Sequence, residues 1–120
     1  MRNMSFAMTT EQAWKKIKKV TRRQAWWNLK PDTLIQQVVK GMGLKKGEKV
    51  ERIHVIRILS VEREPVAAIT LEDVIKEGFP DWTPDQFIDF YCNAHRMDPE
   101  EECNRIEFEY VEPEDCNAVD

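Results

Sequence analysis

The sharpest chemical spacing in the sequence is Lys18-x-x-Thr21-x-Arg23, inside the run Lys18-Lys19-Val20-Thr21-Arg22-Arg23. If Thr21 to Arg23 are extended, Thr21 and Arg23 point to the same side of a sheet, and Lys18 at the preceding helix end reaches that side too. A hydroxyl beside an ammonium and a guanidinium makes an anion or carbonyl site. With a buried carboxylate added, it makes a nucleophile arrangement. Lysines at a helix end are also favoured by the macrodipole alone, which is the structural alternative. The spacing lies in a cationic run, with Lys15, Lys16, Lys19 and Arg22 interleaved with Trp14, Trp26 and Trp27. Such groups hold phosphates by charge and stack bases on indole faces, which suits nucleic-acid or nucleotide binding; an ordinary solvated helix face is the alternative.

Further candidates lie on either side of that run. Trp26 and Trp27 follow it directly, and on a strand one of them faces the core and the other the outside or a cleft. Arg57 sits on the otherwise apolar inner face expected of a long strand and is a second polar group for a cleft. An ion pair with a C-terminal carboxylate is its alternative. Cys92 and His95, with Cys103 and Cys116 beyond, are enough ligands for a Cys3His zinc site but lack a tight paired spacing, so no metal is expected. His54 is expected on the outer side of the long strand, at the surface. No Gly-rich phosphate loop, nucleophile elbow or His-Glu-x-x-His pattern occurs, and no cofactor is expected.

The chain that must position these groups has 120 residues, 42% hydrophobic and 33% charged. That size and composition predict one globular domain over residues 1–112, followed by a flexible acidic tail over 113–120. Apolar runs are too short for a transmembrane helix, and the N-terminus has no signal-peptide core, so a cytoplasmic location is expected. Three cysteines cannot all pair within one chain, and free thiols are the default. The net charge of −4 conceals a division: residues 1–49 hold twelve Lys or Arg against three Asp or Glu, and residues 50–120 hold six against nineteen. An acidic total argues against non-specific coating of duplexes and leaves room for a local nucleotide or RNA site.

Periodicity and turn chemistry place the elements. Ser5 to Met8 alternate weakly and predict a short first strand. Thr9, three residues before Gln12, caps a helix carrying Ala13, Trp14 and Ile17 and running to about Lys18. Lys30-Pro31-Asp32 is a turn. Leu34, Ile35, Val38 and Val39 fit a short helix or a bulged strand, and their β-branched content favours the strand. Gly41 to Lys49 reads as an exposed loop. Over Val50 to Val61, Ile53, Val55, Leu59 and Val61 share an inner face and Ile56 and Ile58 the other. Thr70 caps a short helix that buries Leu71, Val74 and Ile75 and stops at Gly78. Thr83-Pro84-Asp85-Gln86 starts another, with Phe87, Phe90 and Tyr91 at core-facing offsets. Ile106, Phe108 and Tyr110 alternate with charged residues in the clearest strand of the chain. The sum is an α+β domain of five or six strands and three short helices.

With Lys18, Thr21 and Arg23 in this order, the Leu29-Lys30-Pro31-Asp32 turn, the Lys45-Lys46-Gly47-Glu48 loop before a long strand, and Glu77-Gly78-Phe79 before a helix, the chain resembles the ASCH family, a branch of the PUA-like fold. The resemblance runs from about Phe6 to Val111 and is to the small stand-alone versions of phages and prophages. The family motif is Gly-x-Lys-x-x-Thr-x-Arg, and Lys16 stands here where it has glycine. What the resemblance implies is a small β-barrel with flanking helices and a cleft for RNA, nucleosides or modified bases. In a bacterial branch of the family, the residues matching Lys18, Thr21 and Glu77 support an amidohydrolase that deacetylates N4-acetylcytidine. Thr21 would then be the nucleophile, Lys18 its activator and Glu77 a proton shuttle.

Three functions are therefore weighed. The first is binding of RNA or a modified nucleoside or nucleotide through a basic cleft with Arg22, Arg23, Trp26, Trp27 and Arg57. The second is hydrolysis by Lys18, Thr21 and Glu77. The third is a module for protein partners, in which the basic and acidic halves meet other chains. Binding is favoured, by a monomer or weak homodimer that does not enter membranes, because a shared fold does not select an activity.

Overall fold

The computed structural model describes residues 1–41 and 44–112. The acidic tail over 113–120, with Cys116, lies outside the described residues, as does Met42 of the Gly41 to Lys49 loop. Five strands, β1 (Arg2–Ser5), β2 (Val20–Arg23), β3 (Leu34–Val38), β4 (Arg52–Pro65) and β5 (Glu102–Tyr110), form one sheet in the order β1-β3-β4-β5-β2. β1 runs parallel to β3, and every other pairing is antiparallel. Helices α1 (Thr10–Trp14), α2 (Leu71–Lys76) and α3 (Pro84–His95) accompany it, with a 3-10 turn at Val66–Ala68. The sheet curls into a half-barrel whose edges, β1 and β2, do not pair with each other.

Local chemistry explains the helix ends. Thr83 and Gln86 exchange both hydrogen bonds of a capping box, at 3.2 and 2.8 Å, and Pro84 opens α3 without a wasted donor. Thr70 caps α2 by accepting from the Asp73 amide at 3.2 Å. α1 is shorter than its pattern predicted and stops at Trp14 because Lys16 adopts a left-handed conformation, φ 61°. The amides of Ile17 and Lys18 then turn back to the Gln12 carbonyl, closing the helix as a C-terminal glycine normally would. Lys16 thus keeps the backbone shape for which the motif uses glycine.

Three expectations are corrected, two by strand register and one by helix length. β1 begins at Arg2 because it pairs with Ile35 to Val38 there; Met4 and Phe6 become the buried pair and Met8 is exposed. In β4, irregularities opposite Gln36/Val38 and at Ile58/Ser60 change the side-chain parity. Ile53 therefore shares the core with Ile56 and Ile58, while Leu59 is exposed. On α2 only Val74 is buried among the apolar residues; Leu71 and Ile75 stay 56% and 47% exposed, because the helix has less than two turns and one inward side.

The interior has two apolar clusters. One fills the half-barrel with Met4, Phe6, Ile35, Ile56, Ile58, Ile106 and Phe108. The other packs α2 and α3 through Val66, Val74, Phe79, Phe87, Tyr91 and Cys103. β2 contributes buried polar and charged residues beside them: Thr21 and Arg22 on the strand and Lys18 before it.

Candidate functional site

A cavity of about 370 Å³ opens where the half-barrel fails to close. Its walls are the segment after β1, the segment from Lys18 through Trp26 along the other edge, Glu77 and Phe79 beyond α2, and one side of α3. Lys18, Thr21, Arg22, Arg23, Trp26 and Glu77 all line it. Residues from distant stretches of chain thus meet at the unpaired edges of the sheet.

Glu77 is the junction. Its Oε1 accepts from Lys18 Nζ at 2.7 Å and its Oε2 from Arg22 Nη1 at 2.9 Å, while Lys18 Nζ also donates to the Glu77 carbonyl at 2.9 Å. Gly78 makes this approach possible. It holds φ 103°, and a Cβ there would lie 2.7 Å from Gln12 Cγ, so only glycine lets the end of α2 sit against α1. Burial pulls the Lys18 ammonium below its ordinary pKa, and the Glu77 charge opposes that pull.

Arg22 and Arg23 are neighbours with different fates. Arg22 donates through Nη2 to Asp73 at 2.7 Å and Glu64 at 3.1 Å, besides its bond to Glu77. Burial alone would lower its pKa, but these carboxylates outweigh burial and raise it. Asp73 is further clamped by Arg105 at 2.6 and 2.9 Å, and this clamp above all, with Arg22, holds the Asp73 carboxyl down to about 2. Arg22, expected as a binding group, is therefore part of a framework in which its terminal nitrogens bond carboxylates. Arg23 projects to the other side of β2, lies 4.8 Å over the Phe6 ring and donates through Nε to Thr21 Oγ1 at 3.3 Å. No carboxylate pairs with it among the described residues. Burial lowers its pKa to about 10.

The two tryptophans are not on a strand. Trp26 lies beyond β2 at φ 63°, lines the cavity and has the Arg2 guanidinium 4.7 Å from its ring. Asn104 holds that bend by donating to the Trp26 carbonyl at 2.7 Å. Trp27 turns outward under Arg63, 4.5 Å from its ring, and does not line the cavity. Arg57 is likewise outside it. The parity change in β4 turns Arg57 to the outer side, where it pairs with Glu109 at 3.0 Å.

Several lining residues escaped the sequence as site candidates. Tyr91, read as a core aromatic of α3, lines the cavity at 4% exposure, and its hydroxyl has no hydrogen-bond partner among the described residues. Burial raises its pKa. His95, one turn on and considered only as a zinc ligand, lies tilted against Tyr91 with ring centroids 4.3 Å apart and also lines the cavity. Their i, i+4 spacing was the available signal. Cys92 and Cys103 are buried free thiols, and no group of three or more His, Cys, Asp or Glu among the described residues is placed to hold a metal. His54 is half-buried and bonds the Trp14 carbonyl at 3.1 Å. Among the described residues no helix is long and apolar enough to cross a membrane.

A curled five-stranded sheet, short helices and a cleft between the open edges define an α+β domain with the ASCH-like, PUA-like fold. The chain superposes on the crystal structure of an ASCH domain from Lactobacillus crispatus JV V101 with a TM-score of 0.58 and 16% identity, covering 91% of this chain and 78% of that one. It also superposes on a protein from Enterococcus faecalis V583 described under the family DUF984, with a TM-score of 0.60 and 16% identity over 92% of this chain and 75% of that one. Neither a protein-family model nor a curated protein matches the sequence. At such identities the likeness is one of fold, and chemistry has to be argued from the residues.

Proposed function

We propose that the cavity binds one nucleoside or nucleotide unit, free or carried in single-stranded RNA, with the base against aromatic side chains and its polar edge toward Lys18, Thr21 and Glu77. The observation that carries this reading is the convergence of those three residues on an aromatic-walled cavity of about 370 Å³ bounded by Trp26, Phe79, Phe87 and Phe90. The volume suits one unit of a nucleic acid, and stacking on aromatic faces contributes roughly 1–3 kcal/mol per base. A duplex cannot enter such a space, so the ligand has to be single-stranded or extruded.

The test is titration of the four ribonucleosides, N4-acetylcytidine and a short single-stranded RNA, read by tryptophan fluorescence and calorimetry. Saturable binding of at least one, weakened about tenfold or more by Trp26→Ala, is expected. Absence of binding by all six up to millimolar concentration would reject the reading.

A second reading, hydrolysis of an N4-acylated cytidine, is favoured by the buried Lys18 and Glu77 pair at 2.7 Å beside the Thr21 hydroxyl. Thr21 Oγ1 would add to the acyl carbonyl as its proton passes to Lys18, which has first given its own proton to Glu77. The C–N bond would then break, with Glu77 passing a proton to the departing amine, and water would release the acyl group from Thr21. Binding ranks first because the Thr21 hydroxyl bonds Arg23 and makes no hydrogen bond to Lys18 or Glu77. Chromatographic conversion of N4-acetylcytidine to cytidine, lost in Thr21→Ala and Lys18→Ala, would promote the second reading.

A further inference from the structure

The cavity is lined by polar groups besides Lys18, Thr21 and Glu77, and we propose that three of them, Arg23, Tyr91 and His95, bind the phosphate of the ligand, so that a nucleotide is preferred to a free nucleoside. The base half of this statement rests on the reading above; the phosphate half stands on its own observations.

Charge is the first of them. Lys18, Arg22 and Arg23 line the cavity, against a single carboxylate, Glu77, which already accepts from two of the three. The remaining cation, Arg23, bonds only the neutral Thr21 hydroxyl, through Nε. Its terminal nitrogens make no hydrogen bond among the described residues. A guanidinium partly withdrawn from water without a counter-charge is unfavourable, and a phosphate accepts its paired N–H groups in a fork that neutralises it.

Satisfaction of hydrogen bonds is the second. The Tyr91 hydroxyl is buried without a hydrogen-bond partner among the described residues, in a cavity that Arg23 also lines. Leaving a buried hydroxyl without a hydrogen bond is unfavourable, and an oxyanion would accept one from it. A water molecule at that place would satisfy Tyr91 but leave the charge of Arg23 unanswered. His95 is the third donor. It lies tilted against the Tyr91 ring with part of its side chain exposed, and partial desolvation together with the Arg23 charge pulls its imidazole pKa down; the neutral imidazole has one N–H to give. Three donors on two elements, β2 and α3, thus line the same cavity, a pattern suited to the several oxygens of a phosphate.

The experiment uses the full chain at pH 7.5 and constant ionic strength. Sodium phosphate is titrated against sodium acetate while the imidazole C–H signals of His95 and His54 are followed by NMR. A saturable movement of His95 with phosphate, not reproduced by acetate or at His54, is expected. Tyr91→Phe, which keeps the ring, and Arg23→Lys, which keeps the charge, should each weaken phosphate binding about fivefold or more. Calorimetry then compares cytidine and adenosine with their 5′- and 3′-monophosphates, one of which should bind about tenfold or more tighter than its nucleoside. An unmoved His95 with monophosphates no tighter than nucleosides would overturn the phosphate subsite while leaving the nucleoside reading intact. Movement of His95 by phosphate without binding of any cytidine or adenosine compound would support the anion subsite and reject the base reading. An equal response to acetate would overturn the assignment to phosphate.

Discussion

Arg22 and Arg23 are adjacent in the chain, yet one belongs to a closed charge network and the other to an open cavity. Around Arg22 the guanidinium meets Glu64, Asp73 and Glu77, and Arg105 closes the network from β5. Around Arg23 the neighbours are a hydroxyl, aromatic rings and His95. Strand alternation sends the two side chains to opposite sides, and the acidic half of the chain fills only one of them. What the contrast teaches is that cationic density in the sequence is a poor guide to a ligand site. The charges that matter for binding are those the fold leaves uncompensated.

The largest effect expected is in the closed network. Arg22→Gln leaves three carboxylates without their shared cation and should lower unfolding stability by about 3–5 kcal/mol in urea titrations. The neighbouring Arg23→Gln should do so by less than about 0.5 kcal/mol, since no ion pair is lost there; equal losses at the two positions would erase the contrast. Gly78→Ala is next, at roughly 2 kcal/mol, because it combines a positive φ with a Cβ 2.7 Å from Gln12 Cγ. That substitution should also loosen Lys18 from Glu77, visible as a change in any ligand affinity.

Acid titration sharpens the same comparison. Asp73 titrates at about 2 in the folded chain instead of at its ordinary 3.8, so its stabilisation is full above about pH 4 and is lost as pH falls towards 2. The loss should be on the order of 1 kcal/mol after allowance for solvent screening at Arg105, and Asp73→Asn should remove that part of the pH dependence. The last change expected is a gain. Lys16→Gly relieves a left-handed non-glycine residue at φ 61° and should raise stability by about 0.5–1 kcal/mol, read as a higher thermal midpoint. A loss there would mean that the contact of Lys16 Nζ with the Tyr110 ring, 6.0 Å away, outweighs the backbone strain.

Much of the fold was legible in the sequence because its signals are local. Thr83-Pro84-Asp85-Gln86 announces α3 by a box whose two bonds form between residues three apart. The alternation of Ile106, Phe108 and Tyr110 declares β5. Thr70 and Gly78 bracket the second helix, although its burial was misjudged at Leu71 and Ile75. The core spacing Lys18, Thr21 and Arg23 was readable too, since extended geometry at Thr21 to Arg23 decides which side each takes. Arg57 was misplaced because a bulge is set by the pairing of two strands and leaves no mark within one of them. Trp27 was misplaced because the chain leaves β2 at Arg23 and bends before the tryptophans.

The amino-acid sequence by itself determined the α+β class, the helix starts, the last strand and the spacing of the chemical residues on β2. Each depends on neighbours a few positions apart, where backbone geometry dictates direction. Only the tertiary structure decided which cations are neutralised, that Glu77 meets Lys18, 59 positions away, and that Tyr91 and His95 close the same cavity as Thr21. Those outcomes turn on strand register, on a glycine that admits close approach of α1 to α2, and on which carboxylates happen to lie opposite. They are properties of contacts between distant segments, and no periodicity along the chain encodes them.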